Sequence, residues 1–210
     1  MTGSTLGCPR RGTPFTRAFG RWLLRLGGWR VVGQLPEEPR FVLIVAPHTS
    51  NWDFIIGVLS MFAIGIRLNW LGKHTIFRFP ITGILRWLGG EPVDRSTSQG
   101  KVDVAIEHFR SRSQWVLGIA PEGTRRRVEQ WKTGFYRIAV GAGVPILTVA
   151  FDYSRRVTDL GTLYRPTGDQ DIDLRAIRGR YHTGMARHPE AFVELGAGKA
   201  EPAGRAQDLS

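Results

Sequence analysis

The stretch Phe41-Val42-Leu43-Ile44-Val45-Ala46-Pro47-His48-Thr49-Ser50-Asn51-Trp52-Asp53 joins six apolar residues to a short polar cluster. An uninterrupted apolar run of this length, closed by a proline, predicts a buried strand near the centre of a sheet. His48 and Asp53 follow directly after that strand. A histidine beside a carboxylate can act as a base whose tautomer the carboxylate fixes. The stretch therefore predicts a core strand with a candidate catalytic pair at its carboxyl end.

A second segment has the same organisation. The apolar run Trp115–Ile119 is followed by Pro121-Glu122-Gly123-Thr124-Arg125. Gly123 allows the backbone to approach a ligand closely, and Arg125 can donate two parallel hydrogen bonds to a phosphate. Taken alone, this segment also fits a strand-to-helix turn that carries solvated arginines. Two polar clusters after two core strands predict one site, built by loops at one edge of a sheet.

The spacing of His48 and Asp53 leaves two interpretations open. Five positions on an ideal helix separate two side chains by roughly 140°, so this pair can meet only across a turn. In the first interpretation, Ser50 caps the following helix, and Asp53 in its first turn accepts the imidazole Nδ1–H. In the second, Asp53 bonds back to the Ser50 amide in a capping box, and His48 is an ordinary loop residue.

Strand-like and helix-like segments alternate along the rest of the chain. Strands are predicted at 29–33, 41–46, 68–72, 92–94, 115–120 and 145–151, and helices at 15–26, 51–64, 81–88, 98–110 and 134–141. This alternation predicts an α/β fold with a mixed, largely parallel central sheet flanked by helices. Residues 152–195 are less regular. The sequence predicts one domain over 15–195, between disordered tails at 1–14 and 196–210.

The predicted first helix, residues 15–26, is basic and amphipathic. Its apolar residues share one face and are Phe15, Phe19, Trp22, Leu23 and Leu26. Its arginines share another face and are Arg17, Arg21 and Arg25. Basic helices with aromatic residues are typical of helices that lie in a membrane interface. The same pattern fits a helix that packs its apolar face on the core and exposes its arginines.

The composition predicts an anionic partner. The 210 residues include 29 Lys and Arg against 18 Asp and Glu, which gives a net charge of +11. Such a charge favours phosphate groups, a membrane surface, an acidic protein or nucleic acid. Nucleic acid is the weakest of these, because the seven tryptophans are dispersed and no recognition motif is present. The single cysteine, Cys8, excludes an intrachain disulfide, and no histidine spacing indicates a zinc site. The nucleophile elbow of serine hydrolases and the glycine-rich nucleotide loops are also absent.

Four ordered blocks of the sequence resemble the glycerolipid acyltransferases, the family that includes bacterial 1-acylglycerol-3-phosphate acyltransferases. The first is the H-x-x-x-x-D block from His48 to Asp53, and the second begins at Lys73 and ends at Val93-Asp94-Arg95. The third is Pro121-Glu122-Gly123-Thr124-Arg125, and the fourth, Val144-Pro145-Ile146, opens an apolar strand. Together the blocks span about residues 41–151, which is most of the predicted core.

The resemblance implies acyl transfer from a thioester, either acyl-coenzyme A or acyl-acyl carrier protein, to the hydroxyl of a lysophospholipid in phospholipid biosynthesis. It implies that His48 is the general base and that Asp53 orients it. The substrate-binding residues that it implies are Lys73, Arg95, Glu122, Gly123, Thr124 and Arg125. It implies no metal and no cofactor apart from the acyl-carrying co-substrate.

The resemblance further implies a peripheral protein at the cytoplasmic face of the membrane, in contact with anionic lipids and without a nucleic-acid partner. Other functions stay open beside this one. The acceptor can be another lysolipid, or water, which would make the protein a thioesterase. A non-catalytic basic module that binds membranes would explain the arginines, but not the His48–Asp53 pair together with Glu122 and Gly123.

Overall fold

The computed structural model describes residues 7–93 and 98–194, which form a sheet covered by helices on both faces. The strands are β1 (Arg30–Gly33), β2 (Arg40–Val45), β3 (Asn69–Lys73), β4 (Gly90–Val93), β5 (Trp115–Ile119), β6 (Ile146–Asp152) and β7 (Val157–Tyr164). Their order in the sheet is β1-β7-β6-β2-β5-β3-β4. β2 pairs in parallel with β5 and β6, whereas β6 and β7 are antiparallel. The predicted α/β fold with a mixed, largely parallel sheet is therefore confirmed.

Helices lie on both faces of this sheet. Those of the described residues are α1 (Pro14–Leu26), α2 (Trp52–Ile64), α3 (Thr82–Trp87), α4 (Ser98–Ser111), α5 (Gly134–Ala142) and α6 (Gln170–Arg178). A hydrophobic core lies on each face of the sheet, and alternate residues of β2 pack into different cores. Phe41 and Leu43 pack beneath α1 and α2, whereas Val42 and Ile44 pack beneath α4, α5 and α6. A strand that is buried on both faces needs apolar residues at every position, which explains the unbroken run in the sequence.

Two elements, β7 and α6, lie in the region that the sequence left irregular. β7 fills the place between β1 and β6. Polar residues and a glycine interrupt its apolar positions, so the period of two is lost although Val157 and Thr158 are buried. In α6 the cap residue Asp169 accepts hydrogen bonds from two backbone amides. Asp173 in the first turn of this helix is fully buried, which its charge does not indicate.

The segment before α1 is ordered from Gly7 onward, in contrast to the predicted disordered tail at 1–14. Cys8 is buried, and Arg10 forms an antiparallel bridge with Ile66. Thr13 then caps α1. The prediction was wrong for residues 7–14: Gly7 and residues 9–11 bond to residues more than 50 positions away, which local composition does not indicate, and Pro14 begins α1. The remainder of that tail, 1–6, and the predicted tail at 196–210 lie outside the described residues.

Helix α1 packs on α2 through its small residues and not through its aromatic face. Gly20 is buried, and a Cβ on it would lie 2.8 Å from the backbone nitrogen of Ala63. Phe15, Phe19 and Trp22 are 76%, 49% and 54% exposed, and their rings stack in sequence along the outer surface. Packing of this apolar face on the core is therefore excluded. Within residues 7–93 and 98–194, no helix combines the length and hydropathy needed to cross a membrane.

Candidate active site

The polar clusters meet at the carboxyl ends of β6, β2 and β5, three neighbouring strands. His48 follows β2, Glu122 follows β5, and Tyr153 comes directly after β6. Because β2 runs parallel to both neighbours, the residues after these strands reach the same edge of the sheet. The sequence predicts that the first two of these residues lie at one edge of the sheet, and they do.

His48 and Asp53 are in contact across the turn between β2 and α2. His48 Nδ1 lies 3.1 Å from Asp53 Oδ2, with the histidine side chain 20% exposed and the carboxylate 0% exposed. The same Oδ2 accepts a hydrogen bond of 2.9 Å from the Ser50 amide. Asp53 therefore makes the contact of each interpretation, with the His48 ring and with the Ser50 amide, and His48 is not an ordinary loop residue. The cap residue of α2 is Asn51 and not Ser50, whose hydroxyl instead accepts from the Trp52 amide.

Asp53 has another polar partner, which the sequence analysis missed. The Tyr153 hydroxyl donates a hydrogen bond of 2.6 Å to Asp53 Oδ1. Burial raises the pKa of Asp53, but hydrogen bonds from His48, Tyr153 and Ser50 outweigh burial and hold this pKa below its ordinary value. Asp53 is therefore ionised at neutral pH and favours the tautomer with a proton on His48 Nδ1. The other nitrogen, Nε2, makes no hydrogen bond to a described residue and can accept a proton.

Glu122 holds the backbone of His48. Its Oε2 accepts a hydrogen bond of 2.8 Å from the His48 amide. Its Oε1 is buried and has no hydrogen-bond partner among the described residues. Burial raises the pKa of Glu122 to about 7, although the bond from the His48 amide opposes this change. Glu122 thus fixes the main chain of His48, and Asp53 fixes its ring.

Gly123, Thr124 and Arg125 continue from this buried carboxyl towards solvent. Gly123 has a φ of +66°, and a Cβ on it would lie 2.9–3.0 Å from the side chain of Lys132. Both the left-handed backbone and the close approach favour glycine. The Thr124 hydroxyl accepts from the Arg126 amide at 3.3 Å, and Arg125 is exposed. The arrangement places Lys132, which no motif indicated, beside the same loop.

The structure gives less detail for the other two residues predicted to bind substrate. Arg95 lies outside the described residues, and so does the side chain of Lys73. The backbone of Lys73 is the carboxyl end of β3, which is parallel to β5 and next to it. Lys73 therefore lies at the same edge as His48. No group of three or more His, Cys, Asp or Glu side chains in the described ranges can hold a metal ion.

A family model described as Acyltransferase matches residues 30–152. This range includes His48, Asp53 and Glu122, and it runs from β1 to β6. The chain belongs to the acyltransferase family. The match covers the sheet edge at which the polar clusters meet, so the family assignment and the site concern the same residues.

The chain is also similar to named proteins from several bacteria. The chain is 28% identical over 168 residues to the 1-acyl-sn-glycerol-3-phosphate acyltransferase of Escherichia coli (strain K12), covering 74% of this chain and 66% of that protein. It is 29% identical over 145 residues to the enzyme of the same name from Haemophilus influenzae, covering 63% of this chain and 58% of that protein. The chain thus spans somewhat less than two thirds of the length of these relatives.

The fold is also similar to a solved structure. The crystal structure of the 1-acyl-sn-glycerophosphate acyltransferase PlsC from Thermotoga maritima superposes with a TM-score of 0.55 at 19% sequence identity. The superposition covers 77% of this chain and 73% of that one. This acyltransferase shares the architecture described above.

The site extends beyond the part of the chain that the family model matches. Tyr153 is the first residue after that match, and the backbone amide of His188 donates to the Thr49 hydroxyl at 3.2 Å. The Arg187 guanidinium lies 5.4 Å from the Trp52 ring and 5.8 Å from the Tyr153 ring. The segment after α6 therefore covers one side of the His48 loop.

The place of Tyr153 beside the His48 loop can be predicted once the order of the strands is known. β6 is the other parallel neighbour of β2, with Val149 beside Val45, so the residues after β6 reach the level of the His48 loop. Arg187 has no comparable signal, because it lies on an irregular segment far along the chain and reaches the site only through tertiary packing.

Proposed function

We propose that this protein transfers a fatty acyl group from a thioester, acyl-coenzyme A or acyl-acyl carrier protein, to the hydroxyl of a lysophospholipid such as 1-acylglycerol-3-phosphate. The reaction belongs to phospholipid biosynthesis. The observation that carries the proposal is the contact of 3.1 Å between His48 Nδ1 and the buried Asp53 carboxylate. It leaves Nε2 free to act on an acceptor hydroxyl at the mouth of the site.

In the proposed mechanism His48 is the general base. Its Nε2 takes the proton of the acceptor hydroxyl as the hydroxyl oxygen attacks the thioester carbonyl carbon. The imidazolium that forms is stabilised by Asp53, which keeps its charge because three donors hold its oxygens. When the tetrahedral oxyanion collapses, the carbon–sulfur bond breaks, and the leaving thiolate takes the proton from His48. The product is an ester, and no acyl-enzyme is needed.

The phosphate of the acceptor is proposed to bind to basic residues at the same edge of the sheet. Arg125 is exposed and makes no ion pair with a described residue, so its guanidinium is available to a phosphate. Lys73 and Arg95 are proposed to share this role, while Glu122 and Gly123 shape the pocket beneath. The glycine at Gly123 keeps a side chain out of the space beside Lys132.

The protein is proposed to work as a peripheral protein at the cytoplasmic face of an anionic membrane, through the layer formed by α1, α2 and α3. Of the 15 large hydrophobic side chains exposed in the described residues, 12 lie in this layer, within residues 15–26, 52–55 and 76–87. Soluble monomeric proteins rarely expose so many large apolar side chains in one layer unless the layer binds a partner. Phe54 and Trp52 at the start of α2 bring this face to the His48 loop, where a lipid acceptor could enter from the bilayer.

The direct test is an acyl-transfer assay with labelled acyl-coenzyme A and acyl-acyl carrier protein, offered with lysophosphatidate and a panel of other lysolipids. His48→Ala is expected to lower turnover more than about 100-fold, as for the loss of a general base. His182→Ala, an exposed histidine on the segment after α6, is the matched control and should retain activity. Survival of His48→Ala activity within about tenfold contradicts the base role.

The same assay separates the alternatives. Release of free fatty acid without a lipid product indicates a thioesterase, and a product with a different lysolipid changes only the acceptor. Absence of all turnover favours a binding module.

For the membrane face, the double variant Phe19→Ser and Trp22→Ser should release the protein from anionic vesicles. Val104→Ser with Val140→Ser, two exposed residues of α4 and α5, is the control that should not.

A further inference from the structure

Four arginines converge on a cavity at the opposite edge of the sheet from the active site. The cavity has a volume of about 420 Å³ and is lined by Arg10, Arg11, Arg67 and Arg86, together with Leu68, Asn69, Trp87 and Gly89. These residues come from four separate segments: the ordered stretch before α1, the turn before β3, the end of α3 and the turn before β4. The cavity is therefore a product of the tertiary fold and not of a local basic run.

The positive charge of this cavity is poorly compensated. None of the four guanidinium groups forms an ion pair with a carboxylate in the described part of the chain. Asn69 binds Glu91, but that carboxylate already contacts Arg112 and His108. Glu37 lies with Arg10 in an adjoining cavity without an ion pair between them.

Helix ends supply only a small part of the missing negative charge. Arg10 donates to the Ile64 carbonyl at the end of α2, and Arg86 lies in the last turn of α3. Each helix terminus contributes about half a negative charge, so about three of the four positive charges are uncompensated. The burial of Arg11 and the nearby Arg67 charge both lower the pKa of Arg11, which shows that these groups oppose each other. Like charges gathered in this way favour an anion that binds between them.

The cavity opens beside the apolar face proposed to contact the membrane. The Arg11 guanidinium lies 4.2 Å from the centre of the Trp87 ring, and Trp87 packs against Phe62 of α2. Trp87 and Ile84 are each 61% exposed. Guanidinium groups bind phosphate oxygens in pairs, and tryptophan is favoured at the level of lipid headgroups. A headgroup phosphate in the cavity would therefore leave its lipid chains beside exposed apolar residues.

The distance from the catalytic pair separates this cavity from the acceptor site. Arg67 precedes β3 and Gly89 precedes β4, whereas His48 follows β2, and these strands run in the same direction. Through Leu117 of β5, the cavity residue Asn69 is level with Val42, so the end of β2 lies about 10 Å further along at about 3.3 Å per residue, and two strands away, with His48 beyond it. An anion in the cavity is therefore not the phosphate of an acceptor whose hydroxyl reacts at His48.

We propose that the four-arginine cavity binds the phosphate headgroup of an anionic phospholipid of the membrane surface, as a second lipid site apart from the catalytic one. The inference rests on the membrane attachment proposed above and adds the residues that recognise the headgroup. The cavity lies at the amino ends of β3 and β4. By binding the bilayer there, the cavity and α1 would fix the orientation in which α2 and the His48 loop face the lipid.

The test compares two double variants of the full chain. The cavity variant combines Arg67→Gln and Arg86→Gln, and the matched control combines Arg110→Gln and Arg175→Gln. The control removes the same charge from exposed positions on α4 and α6, in the opposite layer. Vesicles of phosphatidylcholine with and without phosphatidylglycerol are titrated, and inorganic phosphate is added as a competitor. A thermal melt checks that each variant is folded, and Arg86→Gln alone provides a milder change at an exposed site.

The cavity variant is expected to bind phosphatidylglycerol vesicles about 30-fold more weakly, and Arg86→Gln alone about fivefold more weakly, as for arginines close to an anionic surface. The control should change binding less than about threefold, because its charges lie beyond the screening length of about 8–10 Å from the membrane. Equal losses in the two double variants overturn the site. Binding of inorganic phosphate by the protein, with equal binding to vesicles with and without phosphatidylglycerol, also overturns it, since the cavity would then bind a free anion and not a lipid headgroup.

A separate readout distinguishes this inference from the proposed activity. With a soluble short-chain acceptor, turnover in the cavity variant should equal that of the unmodified protein, because the cavity is remote from His48. If the protein shows no acyl transfer but loses vesicle binding in the cavity variant, the headgroup site stands and the proposed activity fails. If transfer is normal and the cavity variant binds vesicles like the control, the headgroup site alone fails.

Discussion

Glu122→Gln tests the electrostatics of the site through protein stability. The substitution keeps an oxygen that can accept from the His48 amide but removes the ionisable carboxyl. Burial raises the pKa of Glu122 from 4.5 to about 7, so between these values the folded protein holds a proton that the unfolded chain has lost. Stability must then fall as the pH rises through this interval. At about 1.4 kcal/mol per pH unit, the ionised carboxyl costs about 3 kcal/mol above pH 7.

The assay is urea unfolding followed by tryptophan fluorescence near pH 5 and near pH 8. Relative to the unmodified protein, Glu122→Gln should gain about 3 kcal/mol of unfolding free energy between the two conditions. Glu129→Gln, on the same loop with a side chain that is 74% exposed, is the control and should gain little. Equal pH dependence in both variants would refute the reasoning, because it would mean that burial does not penalise the Glu122 charge.

Three further changes address other contacts. Tyr153→Phe removes the hydrogen bond of 2.6 Å to Asp53, and we expect kcat to fall about tenfold with KM little changed; steady-state kinetics at several pH values check this. Asp173→Asn disrupts bonds from Tyr136, Tyr164 and Thr167 and should cost about 3 kcal/mol. Because the folded pKa of Asp173 is about 2, below the ordinary 3.8, the stability that this carboxylate contributes is lost as the pH falls through that interval, and the deficit seen in urea unfolding should shrink there. Gly20→Val forces α1 away from α2 and should lower unfolding free energy by about 1–3 kcal/mol, whereas Ala18→Val on the exposed face should not.

The parts of the fold that the sequence predicts are those with a strong local signal. β2 and β5 lie between two helical layers, so residues 41–45 and 115–119 contain only apolar residues and one glycine, and both strands are easily recognised in the sequence. β7 was missed because its polar positions break that signal, although its neighbours β1 and β6 hold it in place. The periodicity of α1 predicts a helix but not which face packs, since close packing at Gly20 depends on the backbone of α2.

The same distinction applies to the site. His48, Asp53 and Glu122 follow strands that are easy to recognise, and two parallel strands bring their ends together. Tyr153 also follows a predicted strand, but its role depends on β6 lying next to β2, which only the strand order reveals. Arg187 reaches the site from a segment without periodicity.

Two separate sets of bonds hold His48, the proposed general base, and they predict different effects of substitution. Glu122, after β5, holds the main chain of His48, whereas Asp53 holds its ring and is itself held by Tyr153, after β6. The two neighbours of β2 thus control different degrees of freedom of one residue. Loss of Tyr153 loosens the orientation of the imidazole without moving the loop, so the effect should fall on kcat. Loss of the Glu122 oxygen releases the loop as a whole, which moves His48 relative to Gly123 and Arg125 and should therefore alter acceptor binding as well as turnover.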